Sequence, residues 1–392
     1  GSLDGRPMRI LVLSSFTKSL LWFRIDLMDE LVAGGHEVIA LGSDDDDAYR
    51  REFLEHGIAY YSFWVSRNGL SPFDDFRTYR ELREIIGRIA PDKVFVYQAK
   101  TIVYGGPAAH RCGAEVYPLM GGLGSIFRNG GLRNKLVRLI LKVQYKNAFR
   151  RSEKVFFQNE DDRSDLLSFG LLPREKTVIV NGSGVNLERF AQAPLPTEAV
   201  FLFVGRLLRD KGVVEYLDAC TEIKRRHPQT RCLLVGPYDT NPSALVPDDL
   251  EPYIADGTVE YCGEQEDVRP YISQSSVFVL PSYHEGTPKS VLEAMAMGRP
   301  IITTTAPGCR ETVTNGVNGY LVESRSVQAL VDRMELFIDD VELVAKMGAE
   351  SRRIAEERFD VHKVNGVILN AMGLGTDLMS EPAMPTTTTE RL

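Results

Sequence analysis

Short unbroken apolar runs alternate along the chain with longer amphipathic stretches. In the first half the runs are MRILVLSS, EVIAL, KVFVY and KVFFQ, with helical segments between them. The second half repeats the alternation with AVFLFVG, RCLLVG, TVEYC, SVFVLPS, PIITTT and GYLVE. Apolar runs without polar alternation predict strands covered on both faces, as in a parallel sheet between helix layers. Two such series predict an α/β protein of two Rossmann-like, doubly wound domains. Pro194 and Pro196 in NLERFAQAPLPTEA mark an exposed linker between them. The predicted boundaries are 8–190 for the first domain, 191–196 for the linker and 197–355 for the second domain. A helical stretch over 356–372 is expected to return to the first domain. The polar, Pro/Thr-rich 373–392 is expected to be disordered. Residues 1–7 have neither a charged nor an apolar leader segment, and are expected to be a cloning remnant before a start at Met8. In sheets of this class ligands bind beyond the carboxyl ends of the strands, so two facing domains predict a cleft. That placement leaves the chemistry open.

Two segments carry candidate chemistry. In FVGRLLRDKG, Arg206 follows a strand directly, and Asp210-Lys211-Gly212 is expected to open the next helix. A lysine there opposes the helix dipole unless an anion sits between the amides and the cation. Arg206 supplies a planar fork and Lys211 a mobile point charge, a pairing suited to a diphosphate. The alternative is two solvated surface cations. In YHEGTPKSVLEAMAMGRP, Thr287 is expected to cap a helix with Pro288 at its first position and Gly298 at its end. Glu285 then stands on the loop, while Glu293 lies within the helix among Val291, Leu292, Ala294, Met295 and Ala296. So apolar a setting raises a carboxyl pKa unless a partner is supplied, and a ribose diol is one such partner. The other reading puts Glu293 on the helix's one wet face. A glycosidase pair needs both carboxyls flanking one bond, about 5–10 Å apart, and a metal needs more ligands than His284 adds; both fit less well.

Taken together, GRLLRDKG, the E-x7-E pattern of Glu285 and Glu293, and GSGVN at 182–186 resemble the retaining nucleotide-sugar glycosyltransferases of family four. The resemblance implies the GT-B fold, a nucleotide-sugar donor bound by the second domain, an acceptor bound by the first, and no metal or other cofactor. It implies that Arg206 and Lys211 hold the donor diphosphate, that Glu285 meets sugar hydroxyls and that Glu293 meets the ribose. Backbone amides of Gly286, Thr287 and Lys289 would touch phosphate or sugar. SLLWFR, YQAKTIVYGG, GGLGSIF and GRPIITTTAPGCRETV are similar to bacterial transferases that extend glycans on undecaprenyl diphosphate, in capsule, O-antigen or protein glycosylation pathways. That similarity implies acceptor roles for Arg24, Lys100 and Gly124. The chain departs from the family at Asn186, where aspartate is usual, at Thr101, where proline is usual, and at Ser14-Ser15, where many members carry a Gly-Gly loop.

Charge sharpens the picture at one place. The chain has a net charge of -8, which disfavours nucleic acid as a partner. Yet RNGGLRNKLVRLILKVQYKNAFRR, from Arg128 to Arg151, contains no acid. Lys135, Arg138, Lys142 and Lys146 recur on one helical stripe, with Arg133 nearby, and Leu132, Leu136, Leu139, Ile140 and Val143 take another side. That pattern predicts an interfacial helix on an anionic membrane, or a grip on a lipid diphosphate; an ordinary amphipathic surface helix has the same pattern. No stretch is apolar enough to span a bilayer. Five scattered cysteines without a C-x-x-C predict reduced thiols and a cytoplasmic protein on the inner membrane face. The expected function is hexose or N-acetylhexosamine transfer from a nucleotide sugar, UDP-linked by expectation, to a polyprenyl-diphosphate-linked saccharide. A transferase with a soluble acceptor, a nucleotide-sugar 2-epimerase and a non-enzymatic sugar-nucleotide-binding module are the alternatives.

Overall fold

A computed structural model of the chain describes residues 6–66, 71–121 and 132–375. The chain divides into two compact units, one running to Ser183 and resumed from Asn365, the other spanning Gly184–Val364. The strands of the first unit are β1 (Arg9–Ser14), β2 (Glu37–Gly42), β3 (Ala59–Ser62), β4 (Lys93–Tyr97), β5 (Glu115–Leu119), β6 (Val155–Phe157) and β7 (Thr177–Ile179). They form a parallel seven-stranded sheet in the order β3-β2-β1-β4-β5-β6-β7. Its helices are α1 (Thr17–Ala33), α2 (Asp47–Glu55), α3 (Pro72–Ile89), α4 (Gly106–Arg111), α5 (Leu132–Arg150) and α6 (Glu160–Ser168). The second unit holds β8 (Val200–Val204), β9 (Arg231–Val235), β10 (Glu260–Tyr261), β11 (Val277–Leu280), β12 (Ile301–Thr304) and β13 (Gly319–Val322) in the parallel order β10-β9-β8-β11-β12-β13. Helices α7 (Val213–Arg226), α8 (Pro247–Ala255), α9 (Arg269–Gln274), α10 (Lys289–Ala296), α11 (Val327–Ile338) and α12 (Val341–Ile354) surround it, and α13 (Val361–Ala371) follows. Both units are therefore Rossmann-like, with parallel sheets whose strands are buried on both faces.

The apolar-run pattern passes over β3, β5 and β7. In β3 only Tyr60 is buried, and β7 is three residues long. β5 carries Pro118, an unusual residue for an interior strand. Val116 O and Met120 N make the neighbouring bonds toward β6, so the proline forgoes a single ladder donor. Two acidic clusters turn out to serve helix ends. Asp46 of DDDD accepts from Ala48 N at the start of α2, and Asn159 of NEDDRSD accepts from Asp162 N at the start of α6.

The segment expected as a free linker is tied down. Arg299 is fully buried and donates to the carbonyls of Ala193, Pro194, Ile272, Ser273 and Met297. Arg352 likewise donates to the carbonyls of Leu187, Phe190 and Ala296. These guanidinium clasps bring 184–196 into the second unit, which is why the division falls at Ser183 and not at residue 190. Asn186 Oδ1 accepts from the amides of Glu188 and Arg189, the same turn an aspartate would make.

Candidate functional site

The second unit assembles a cluster of charged groups beyond the carboxyl ends of β8 and β11. Lys211 does not open a helix, as the local sequence suggests. It ends a 3-10 turn (Arg209–Lys211), and Gly212, at φ 73°, precedes α7. A Cβ on Gly212 would meet Pro281 O at 2.0 Å, so only glycine lets this loop lie against the loop after β11. The two loops are then joined by Tyr283 N donating to Asp210 O at 2.9 Å and by Ser282 Oγ donating to the same oxygen at 3.2 Å. That contact brings Lys211 Nζ to 2.6 Å from Glu285 Oε1. The expected diphosphate cation and the expected sugar carboxylate are thus paired with each other, a link spanning 74 positions that no local pattern encodes.

Glu285 is 9% exposed and its loop is held from a third direction. Its amide donates to Pro307 O at 3.0 Å. Gly308, at φ 82°, lies so close that a Cβ would meet Glu285 O at 2.1 Å and Gly286 O at 2.4 Å. Sequence reasoning passed over Gly308. The Pro-Gly step in TTTAPGC, just after an apolar run, is the signal that marks it as a turn. Arg206 is exposed on the neighbouring loop, where its Nη1 donates to Asp239 Oδ2 at 3.2 Å. Tyr283 hydrogen-bonds Glu215, and burial together with that bond pushes its phenol up to about 12.

Helix α10 begins one turn position later than expected. Pro288 is its N-cap, with no side-chain cap bond and no acid in the first turn, so Thr287 does not cap it. The amides at this end, preceded by Gly286 and Thr287, point their partial positive charge outward. Lys289 Nζ donates to Gly184 O at 3.2 Å. Glu293 lies one turn further along, between buried neighbours. Its side chain keeps a partly exposed edge, yet protein crowds the carboxyl. Burial raises its pKa to about 7, against the pull of Lys289 and Arg189 and with the help of Asp267. That value poises Glu293 to change charge near neutral pH.

In the first unit the predicted residues scatter. Arg24 on α1 is buried, as are Leu20 and Leu21, so SLLWFR faces inward apart from the exposed Trp22 and the half-buried Phe23. Lys100 is engaged with Ser66 O at 2.7 Å and with Asp75 at 3.6 Å. Thr101 is buried and donates to the Gln98 carbonyl. Gly124 and the side chain of Arg133 lie outside the described residues. Lys135 and Lys146 are exposed on α5, Arg138 is half-buried, and Lys142 lies 3.9 Å over the Phe169 ring. Between these cations Leu136, Leu139, Ile140 and Val143 stand in solvent, 45–63% exposed, while Tyr145, Ala148 and Phe149 pack into the core. Phe73 and Phe76 at the start of α3 are exposed too, and a groove lined by Phe76, Tyr79, Tyr104, Ile140 and Leu141 joins α3 to α5. Among the described residues, no helix is long and apolar enough to cross a membrane, and no group of three His, Cys, Asp or Glu is placed to hold a metal.

Known proteins are similar to this chain in sequence and fold. Residues 25–182 match the glycosyl transferase 4-like domain and residues 185–354 match glycosyl transferases group 1. The N,N'-diacetylbacillosaminyl-diphospho-undecaprenol alpha-1,3-N-acetylgalactosaminyltransferase of Campylobacter jejuni is 28% identical over 351 residues, covering 86% of this chain and 91% of that protein. The UDP-Gal:alpha-D-GlcNAc-diphosphoundecaprenol alpha-1,3-galactosyltransferase of Escherichia coli is 25% identical, covering 74% and 77%. Among solved structures, HepE of Anabaena in complex with UDP superposes with a TM-score of 0.73 at 17% identity, covering 94% of this chain and 99% of that one.

Proposed function

This chain belongs to the glycosyltransferases, with a 4-like domain followed by a group 1 domain on the GT-B fold, and from that membership we propose its reaction. It moves a hexose or N-acetylhexosamine from a UDP-sugar to a saccharide carried on undecaprenyl diphosphate, in bacterial surface-glycan or glycoprotein synthesis. The observation that carries the donor half is the Lys211–Glu285 pair beside the uncapped start of α10. Lys211 and Arg206 receive the charge that grows on the diphosphate as the C1–oxygen bond breaks. Amides of Gly286, Thr287 and Lys289 add their dipoles, Glu285 orients the sugar through its hydroxyls, and Glu293 accepts from the ribose. The acceptor hydroxyl attacks C1 from the face the diphosphate leaves, its proton passes to the departing phosphate oxygen, and the anomeric configuration is retained. Two relatives named for diphospho-undecaprenol acceptors support the acceptor half.

The test is nucleotide release from UDP-, GDP- and dTDP-sugars, with and without undecaprenyl-diphosphate-linked GlcNAc or diacetylbacillosamine. UDP release that needs the lipid-linked saccharide is the expected result. Release indifferent to every acceptor, or a C2 epimer formed from donor alone, would overturn it.

Glu293 gives the donor site a pH signature. Its pKa of about 7 lies above the ordinary 4.5, so it destabilises the fold as pH rises from 4.5 toward 7. A ribose diol favours the ionised form, so UDP binding at pH 6.5 is expected to release a proton and to tighten as pH rises through 7. Calorimetry in buffers of different ionisation enthalpy measures this release. A Glu293→Gln protein that still releases the proton would show that another group is responsible.

The exposed apolar and basic face of α5 supports a further part of the proposal, that the enzyme works on the inner leaflet of the cell membrane. Each basic residue near an anionic surface contributes about 1 kcal/mol, and the apolar stripe adds burial in the headgroup region. Leu139→Glu together with Val143→Glu is expected to abolish flotation with phosphatidylglycerol vesicles while UDP binding stays unchanged. Unaltered flotation of that variant would remove α5 from the membrane contact.

A further inference from the structure

Arg24 is a charge without a counter-charge. It is 3% exposed, on the side of α1 that packs on the sheet, and its Nη1 has no hydrogen-bond partner. No hydrogen bond or ion pair to it exists among the described residues; its guanidinium lies over the rings of Phe95, at 5.3 Å, and Tyr97, at 5.9 Å. Burial lowers its pKa to about 10. An arginine so desolvated is costly unless an anion completes it.

Its surroundings are those of an anion site. Tyr97 is the last residue of β4, and its hydroxyl lies 2.8 Å from Ser19 Oγ in the first turn of α1. Ser19 Oγ is in turn 3.5 Å from Ser14 Oγ, at the end of β1. The first turn of α1 has no side-chain cap and no acid. In the sheet order, β1 is where the chain turns back: it runs outward through β2 and β3, then returns to β4 on the other side. The crevice outside such strand ends is where α/β sheets bind ligands. The guanidinium thus lies over Tyr97, whose hydroxyl opens a chain of buried hydroxyls at the strand ends, where Ser19 Oγ also donates to Phe16 O and Ser14 Oγ accepts from Phe16 N.

We infer that this corner binds a phosphoryl group, and that Arg24 is its binding residue. Resting on the lipid-diphosphate acceptor proposed above, the occupant is a phosphate of that acceptor, with free pyrophosphate as the simplest probe of the same chemistry. With UDP saturating the second unit, inorganic pyrophosphate is expected to raise the melting temperature, and farnesyl diphosphate to do so at lower concentration. Arg24→Met is expected to lose both shifts, to keep the UDP shift, and to melt at or above the parent temperature because an unpaired charge is gone. Its KM for lipid-linked saccharide should rise at least about tenfold with donor KM unchanged. A variant that retains the pyrophosphate shift, or one that melts well below the parent, overturns the inference by making Arg24 a packing residue. If the shift depends on Arg24 but no lipid-linked saccharide supports transfer, the phosphoryl site stands and the acceptor proposal alone falls.

Discussion

Lys211→Met is expected to lower the rate of sugar transfer by about 10²–10³-fold, the loss typical of removing one preorganised charge from a transition state. Lys211 is held by a loop that Gly212 locks against Pro281, so its ammonium is already in place when the diphosphate begins to leave. Lys211→Arg is not expected to rescue activity, because a guanidinium is wider than an ammonium and cannot share the same corner with Glu285. The variant also exposes what the pair does for stability. Glu285 keeps its burial but loses its cation, which costs about 2 kcal/mol. Adding Glu285→Gln to Lys211→Met should recover that stability without recovering transfer. Steady-state assays and thermal melting of the two proteins separate the effects. Full turnover in Lys211→Met would remove this residue from the chemistry.

Gly308→Ala is the second large effect, and it acts without touching any charged group. The added methyl would sit 2.1 Å from Glu285 O and 2.4 Å from Gly286 O, both backbone atoms that cannot rotate away. The positive φ adds strain for any residue with a Cβ. Relief requires moving the Glu285 loop, and a misplacement near 1 Å costs on the order of 10²-fold in rate. Transfer is therefore expected to fall about a hundredfold, with the melting temperature lowered and the pyrophosphate shift of the first unit unaffected. Normal activity in Gly308→Ala would show that the loop tolerates displacement.

These two residues show where the sequence was legible and where it was not. The apolar runs located most strands, because a strand buried on both faces writes its burial into its own consecutive residues. The helix start at Asn159 in NEDDRSD reads from the sequence for the same reason, a cap and the amide it serves lying three positions apart, whereas DDDD reads as a solvated loop and hides the cap at Asp46. The E-x7-E and RDKG motifs single out the segments proposed to hold the donor, and Glu293's apolar neighbours announced its raised pKa. Thr287 misled because Pro288 already fixes an extended backbone before α10, leaving the threonine one position too early to cap.

What the sequence determined by itself is the α/β class, the two parallel-sheet units and the chemical character of each loop. Only the tertiary structure decided who meets whom. It joined Lys211 to Glu285, set Gly308 under the Glu285 loop, tied 191–196 to the second unit through Arg299, left the α5 stripe in solvent and enclosed Arg24 without a counter-charge. The physical reason is range. Strand periodicity and helix caps are settled by neighbours a few residues apart, whereas the partner of a long charged side chain depends on which distant loops the order of strands in a sheet brings side by side.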